Sequence, residues 1–361
     1  MKRILSVLIL CTIVVACGNN QTNDVEIIEL RDYKHLPLEK KLLADISESI
    51  RMIRLDTSDS TLVSLLMDIK LEVDKIYLRA LNGVFVFDLS GRFLNTIGTR
   101  GRGPTEYLSL YGIFPEKEHV WLLDGSRQVA LKFTDSGRFL ESIELGLGYG
   151  KFSEFFYAFD GLFICFMPDQ GQPKTDIMLA FFDSNGLLDS VLYRNPISGD
   201  ALQRFVYSEV GLIHYGDQVK LKHLFNDTIY NVLNNKLYPA TVLELGMGRA
   251  NEHARQDAAN QDDSFYLFQG MDIVRLCGES SRYVYLHIAN ERPPHNVIFY
   301  DKKEQKVHRY EFMLPDDERI DQEKAKNFVP KYIDKNGYLI GETAPANEDD
   351  NPVIVIAKLR R

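Results

Sequence analysis

From residue 75 onward the chain is written in short apolar or alternating runs separated by polar turns, the pattern of β-strands rather than helices. Lys75-Ile76-Tyr77-Leu78, His119-Val120-Trp121-Leu122-Leu123 and Gly161-Leu162-Phe163-Ile164-Cys165-Phe166 are three such runs. Val219-Lys220-Leu221-Lys222, Arg282-Tyr283-Val284-Tyr285-Leu286-His287 and Gly337-Tyr338-Leu339-Ile340 are three more. A hairpin pattern recurs downstream of the first five. Phe87-Asp88-Leu89-Ser90-Gly91-Arg92-Phe93-Leu94 returns as Phe133-Thr134-Asp135-Ser136-Gly137-Arg138-Phe139-Leu140 and as Phe181-Phe182-Asp183-Ser184-Asn185-Gly186-Leu187-Leu188. The glycines at 91, 137 and 186 set a period of about 46–49 residues, the length of a propeller blade. In each copy the Asp accepts backbone hydrogen bonds and the Gly takes the left-handed turn position. Ile229–Leu237 keeps the pattern with asparagine for glycine, the next best residue at positive φ, and Val297–Val307 keeps the aspartate alone. Helical periodicity is confined to Leu36–Ile46 and Ala250–Gln261.

Six antiparallel modules of this kind predict an all-β fold, a six-bladed β-propeller of four-stranded blades. A sandwich would need Greek-key crossovers and would not repeat its hairpin at fixed spacing. The last module ends in Pro352-Val353-Ile354-Val355-Ile356-Ala357, one strand short of a full blade. The alternating segment Ile50-Arg51-Met52-Ile53-Arg54-Leu55 is expected to supply the missing partner, closing the ring with an N-terminal strand and removing exposed edges.

Ahead of that strand, Lys2 and Arg3 precede an apolar run from Ile4 to Val15, too short for a spanning helix of roughly 20 residues. The run ends in Val14-Val15-Ala16-Cys17-Gly18, which resembles the lipobox of bacterial lipoproteins, with valine where leucine is commoner. The resemblance implies cleavage before Cys17 and acylation of that residue, and several acyl chains make a stable anchor. Glycine at 18, in place of the aspartate that often retains lipoproteins in an inner membrane, favours the outer membrane. Residues 1–16 are therefore expected to be a lipoprotein signal peptide, 17–47 the lipidated cysteine and a tether, and 48–361 the propeller.

The lipobox, the stretch FDLSGRFLNTIGTRGRGPTEY and the later FNDTIYNVLNNKLYPATVLELG together resemble the six-bladed β-propeller lipoproteins of Bacteroidetes. More distantly the chain is similar to NHL-repeat propellers, in which such a glycine-rich stretch joins successive blades. The likeness covers about residues 48–360 and departs from the pattern at Thr105, where the family usually has glycine. It implies a binding or scaffold role at the cell envelope, for a glycan, a peptide or an envelope protein partner, and transfers no catalytic residue.

Composition narrows the choice of partner. The formal charge of −9 becomes −11 once Lys2 and Arg3 leave with the signal, which argues against nucleic acid, for which a basic patch is the footprint. Cys165 and Cys277 remain besides Cys17, too few for a disulfide framework. No nucleophile elbow is present, and the eight histidines are scattered without the spacing of a zinc helix. The acidic runs Asp262-Asp263, Asp316-Asp317-Glu318 and Glu348-Asp349-Asp350 read as solvated loops. No catalytic residue, metal site or cofactor is expected. A propeller enzyme such as a metal-dependent sugar lactonase-type hydrolase stays open as the alternative, since one fold hosts many functions.

One loop stands out chemically. Thr99-Arg100-Gly101-Arg102-Gly103-Pro104-Thr105-Glu106-Tyr107 lacks the lysine and the following helix of a phosphate-binding loop. It is expected to join the first two full blades: the glycines allow close backbone approach, Glu106 pairs with Arg100 or Arg102, and Tyr107 covers the blade interface. A sharper alternative has Arg100 and Arg102 facing the ring mouth and holding an anionic group. A second irregularity is the long interval between the fourth and fifth hairpins, whose excess falls in Arg249–Gln261 and reads as either a docking element or an inert insertion.

Overall fold

The computed structural model describes residues 25–145, 154–158, 162–166, 177–194, 210–234, 236–251, 253–254, 271–288 and 296–361. Cys17, the signal segment and most of the 249–261 excess lie outside these residues.

Among the described residues strands pair into six small sheets, five with their antiparallel strands in chain order and the sixth taking its last strand from earlier in the chain. The first sheet is Leu66–Glu72, Lys75–Ala80, Gly83–Asp88 and Phe93–Thr96. The second is Leu110–Glu116, His119–Asp124, Val129–Thr134 and Phe139–Glu144. Glu154–Ala158, Leu162–Phe166, Ile177–Phe182 and Leu188–Arg194 form the third. Val210–Tyr215, Gln218–His223, Thr228–Leu233 and Lys236–Glu244 form the fourth. The fifth holds Val274–Glu279, Tyr283–Ile288, Val297–Asp301 and Lys306–Met313. Tyr332–Ile333, Tyr338–Thr343 and Val353–Leu359 make the sixth, and the early strand Ser47–Arg54 pairs antiparallel with its last member, Ile53 opposite Ile354. The fold is a β-propeller of small antiparallel sheets.

The repeat has a physical cause. Asp88 Oδ1 accepts the backbone N–H groups of Ser90 and Arg92 at 2.9 and 3.1 Å, and Asp183 Oδ1 accepts those of Asn185 and Leu187, both at 2.9 Å. In the second copy the expected aspartate, Asp135, pairs with Lys75 instead, and Thr134 Oγ1 accepts the Arg138 N–H at 3.0 Å. Glycines 91, 137 and 186 sit at φ +90°, +90° and +78°. A Cβ on each would fall 1.9–2.6 Å from a backbone carbonyl oxygen of the preceding outer strand: Arg54, Thr96 and Glu144 in turn. The turn of one sheet thus seats the outer edge of the sheet before it, and a side chain there would push them apart. Asn234, where asparagine stands for glycine, does adopt positive φ (48°).

Apolar contact continues from sheet to sheet. Tyr77, Val84 and Val86 pack against Ile113, Leu122 and Leu131; Trp121 and Leu123 against Ala180 and Phe182. Ile213 and Ile229 meet Leu276 and Leu286, Tyr285 and Phe299 meet Leu339 and Val355, and Ile340 and Ile354 meet Ile69 and Leu78.

The expected tether does not run loose as far as residue 47. Glu26–Glu29 adds a parallel fifth strand to the outer edge of the fourth sheet, and Leu38–Leu42 does the same for the fifth. Ile28, Leu30, Tyr33, Leu43 and Ile46 are buried by this wrapping, so residues 25–47 pack on the propeller. The helix expected over Leu36–Ile46 shrinks to one turn, Leu43–Ile46, because the preceding residues are taken up in strand pairing.

Candidate functional site

The first strands of the described sheets surround a cavity of about 1530 Å³, lined from the first, second, fourth, fifth and sixth sheets. This exceeds the roughly 300–1,000 Å³ of ordinary small-molecule pockets. Inward-facing charges line it, although alternation within any single strand does not mark them out. They are densest where the sixth sheet meets the first. Lys70 Nζ lies 3.4 Å from Asp68 Oδ1 and 5.2 Å from the centre of the Tyr332 ring, which binds the two sheets by a cation–π contact. Lys331 Nζ is 3.2 Å from Glu342 Oε1, while Glu342 Oε2 is buried and has no hydrogen-bond partner. Burial pushes the Glu342 carboxyl above its ordinary range, and Lys331 pulls it partly back.

On the fifth sheet Arg275 lies opposite His287 in the strand register. Burial, reinforced by the Arg275 charge, lowers His287 to about 4, so the ring is neutral at pH 7. A neutral ring can accept the Asn296 amide proton on Nε2, 2.6 Å away. The end of the cavity where first strands turn into second strands is acidic, with Glu72, Glu116, Asp217 and Asp334, and Lys335 bound to Glu72 at 2.8 Å.

The loop singled out by sequence is built as a joint. Gly101 N–H donates to the Tyr107 carbonyl (2.9 Å), Tyr107 N–H to the Thr99 carbonyl (3.0 Å), and Arg127 Nη1 donates to the carbonyls of Gly103 and Glu106 (3.2 and 2.6 Å). Asp124, fully buried, accepts the backbone N–H groups of Leu108, Ser109, Ser126 and Arg127 and fixes the loop's exit. Tyr107 is buried between the first two sheets, as expected. Glu106 does not make the expected pair with an arginine: its carboxylate accepts the Gly103 N–H at 2.7 Å, and it lies where a Cβ on Gly101 would be. Arg100 and Arg102 are both exposed, and neither lines the cavity.

Sequence reasoning missed the cavity charges, because Lys70 and Tyr332 are brought together by the meeting of the first and last sheets. It also missed Asn351, fully buried, whose amide donates to the carbonyls of Asp56 and Thr61 and accepts from Val63 N–H, pinning the connection into the first sheet. Cys277 is a free thiol, pushed up to about 12 by burial and so not a nucleophile near neutrality. Among the described residues no three His, Cys, Asp or Glu side chains come together in a group that could hold a metal ion.

A family model described as a domain of unknown function matches residues 25–358. Among solved structures, a Bacteroides fragilis protein named as a candidate exported protein is 18% identical with a TM-score of 0.70, over 93% of this chain and 100% of that one. A DUF4221-family member from Bacteroides vulgatus is 12% identical with a TM-score of 0.46, over 87% and 97% of the two chains. A virginiamycin B lyase from Staphylococcus aureus is 9% identical with a TM-score of 0.43, over 86% and 99%. No curated protein matches the sequence. The Bacteroides fragilis likeness agrees with the propeller fold traced above.

Proposed function

The chain belongs to that family, DUF4934, and on this premise we propose that it is a lipid-anchored, six-bladed propeller of the cell envelope that binds a ligand in its central cavity. The observation that carries the reading is the cavity itself, about 1530 Å³ with the Lys331–Glu342 pair on its wall. The charges on the cavity wall, Asp68, Lys70 and Lys331 among them, call for hydrogen-bonding groups on whatever enters. Hydroxyls of a glycan or amides of a peptide have that chemistry. The six sheets in serial order, with Ser47–Arg54 completing the last, support a closed six-bladed ring. The lipobox around Cys17 supports anchoring, and the candidate exported relative is in keeping with a place outside the cytoplasm, the outer membrane being favoured by Gly18.

The test is a screen of acidic and neutral oligosaccharides and short peptides by thermal shift, with hits titrated by calorimetry. Lys331→Gln and Glu342→Gln are expected to weaken a genuine cavity ligand at least tenfold. A screen without hits, or hits indifferent to both changes, sinks the cavity reading. Anchoring is checked separately: Cys17→Ala is expected to move the protein from the membrane to the soluble fraction, and continued membrane association would exclude a lipid on that residue.

A further inference from the structure

Five large apolar side chains, Leu62, Leu65, Met67, Leu81 and Tyr111, are each 45–69% exposed at one end of the first two sheets. Hydrogen bonds tie their backbones together. Leu81 N–H donates to the Leu65 carbonyl (3.0 Å), and Asn82 Nδ2 donates to the Leu62 carbonyl (2.8 Å). Arg79 Nη1 spans the remaining gap, reaching Met67 Sδ at 3.5 Å and the carbonyl of Leu110, beside Tyr111, at 3.2 Å. Nor is the exposure that of a loose loop: Asn351, fully buried, holds the Asp56–Val63 connection that presents Leu62 and Leu65. A rigid, contiguous apolar strip on a surface marks an interaction site.

The strip carries a cation as well. Arg79, half-buried, joins the strip to the cavity lining. Asp68 faces it across the strand pair, with Lys70 Nζ 3.4 Å away on the other side. The Arg100–Arg102 loop borders the same end: the Tyr107 hydroxyl lies 3.8 Å from where a Cβ on Gly83 would be, next to Leu81 and Asn82. Leucine and methionine side chains bordered by the exposed Arg100 and Arg102 complement a polypeptide with apolar and acidic residues, whereas a sugar would call for more aromatic faces. We infer that this end of the first two sheets is a docking surface for a segment of a partner protein carrying leucine-like or aromatic side chains and at least one carboxylate. Met67, Arg79 and Tyr111 are shared with the cavity lining, whereas Leu62, Leu65 and Leu81 lie outside it, so the surface is tested at residues that the ligand proposed there does not touch.

A displayed library of random dodecapeptides, panned on the purified protein and counter-selected on the Leu65→Asp/Leu81→Asp variant, tests the inference. Enriched peptides are expected to combine Leu, Ile, Phe or Trp with Asp or Glu. Their synthetic versions should bind at least tenfold more weakly to Leu65→Asp/Leu81→Asp and to Arg100→Ala/Arg102→Ala. Leu187→Asp, at a comparably exposed leucine on the third sheet, should leave affinity within twofold. Circular dichroism melting of each variant separates lost binding from lost folding. Three results overturn the inference: no peptides enriched by the counter-selection, peptides without acidic residues, or equal binding to all variants. A wild-type dimer that Leu65→Asp/Leu81→Asp converts to a monomer would do so too, because the occupant would then be a second copy of the chain.

Discussion

At the scale of single residues, the loop from Thr99 to Tyr107 divides its labour between what is buried and what is shown. Tyr107 fills the space between two sheets at 5% exposure, whereas Arg100 and Arg102 project outward. Burial raises the Tyr107 hydroxyl above its ordinary range, with the Arg100 charge acting against it, so it stays protonated as a packing group. Tyr107→Ala should therefore cost about 3–5 kcal/mol, the range for emptying a large aromatic site. Arg100→Ala/Arg102→Ala should stay within about 0.5 kcal/mol, as exposed substitutions do. Urea unfolding of the three proteins checks both. Equal losses would mean that the arginines are part of the joint after all. The residue types of this loop were legible in sequence, and so was the burial of its tyrosine. The partner of Glu106 was not, because glycine's lack of a side chain lets backbone N–H groups approach a carboxylate more closely than an arginine must.

At the scale of elements, legibility followed how local the cause is. The Asp-x-x-Gly turn is decided within five residues by an aspartate accepting N–H groups and a glycine at positive φ, so its period could be read directly. Pairing of the segment near Ile50 with the final strand was also readable, since both alternate and the last module lacked a strand. Glu26–Glu29 and Leu38–Leu42 were not. Each is short, and each pairs in parallel with an outer edge more than 200 residues away, where Ile28 is buried and its neighbour Ile27 is 59% exposed. Nothing in a run such as Glu-Ile-Ile-Glu says which edge is free to receive it. By pairing with two outer edges these strands replace long edges with four- and five-residue ones, which blunts the hazard that edge strands carry. The cavity charges were hidden for a related reason: Lys70, Lys331 and Glu342 look like ordinary strand residues until the sheets that carry them meet.

At the scale of the whole molecule, the sixth sheet is built from both ends of the chain, and its Ile340 and Ile354 pack into the core of the first sheet. Separating Ser47–Arg54 from Val353–Leu359 would bare an edge of that sheet, so this pairing is where the molecule is expected to open on unfolding. Ser49 and Lys358 face each other in the register, and Ser49 lies outside the core. Cysteines at these two positions, if oxidised, close a loop of some three hundred residues. Constraining the unfolded chain in that way stabilises by about 2–4 kcal/mol when the bond is unstrained. For a chain of this size that corresponds to a rise of roughly 5 °C in Tm. The reference is the same variant reduced, which cancels the loss of the Lys358 contacts with Asn336 and the Tyr338 ring. Calorimetric scans with and without reductant give the comparison. If the oxidised and reduced forms melt together although mass spectrometry shows the bond formed, the ends are not where unfolding begins, and the weak joint lies between other sheets.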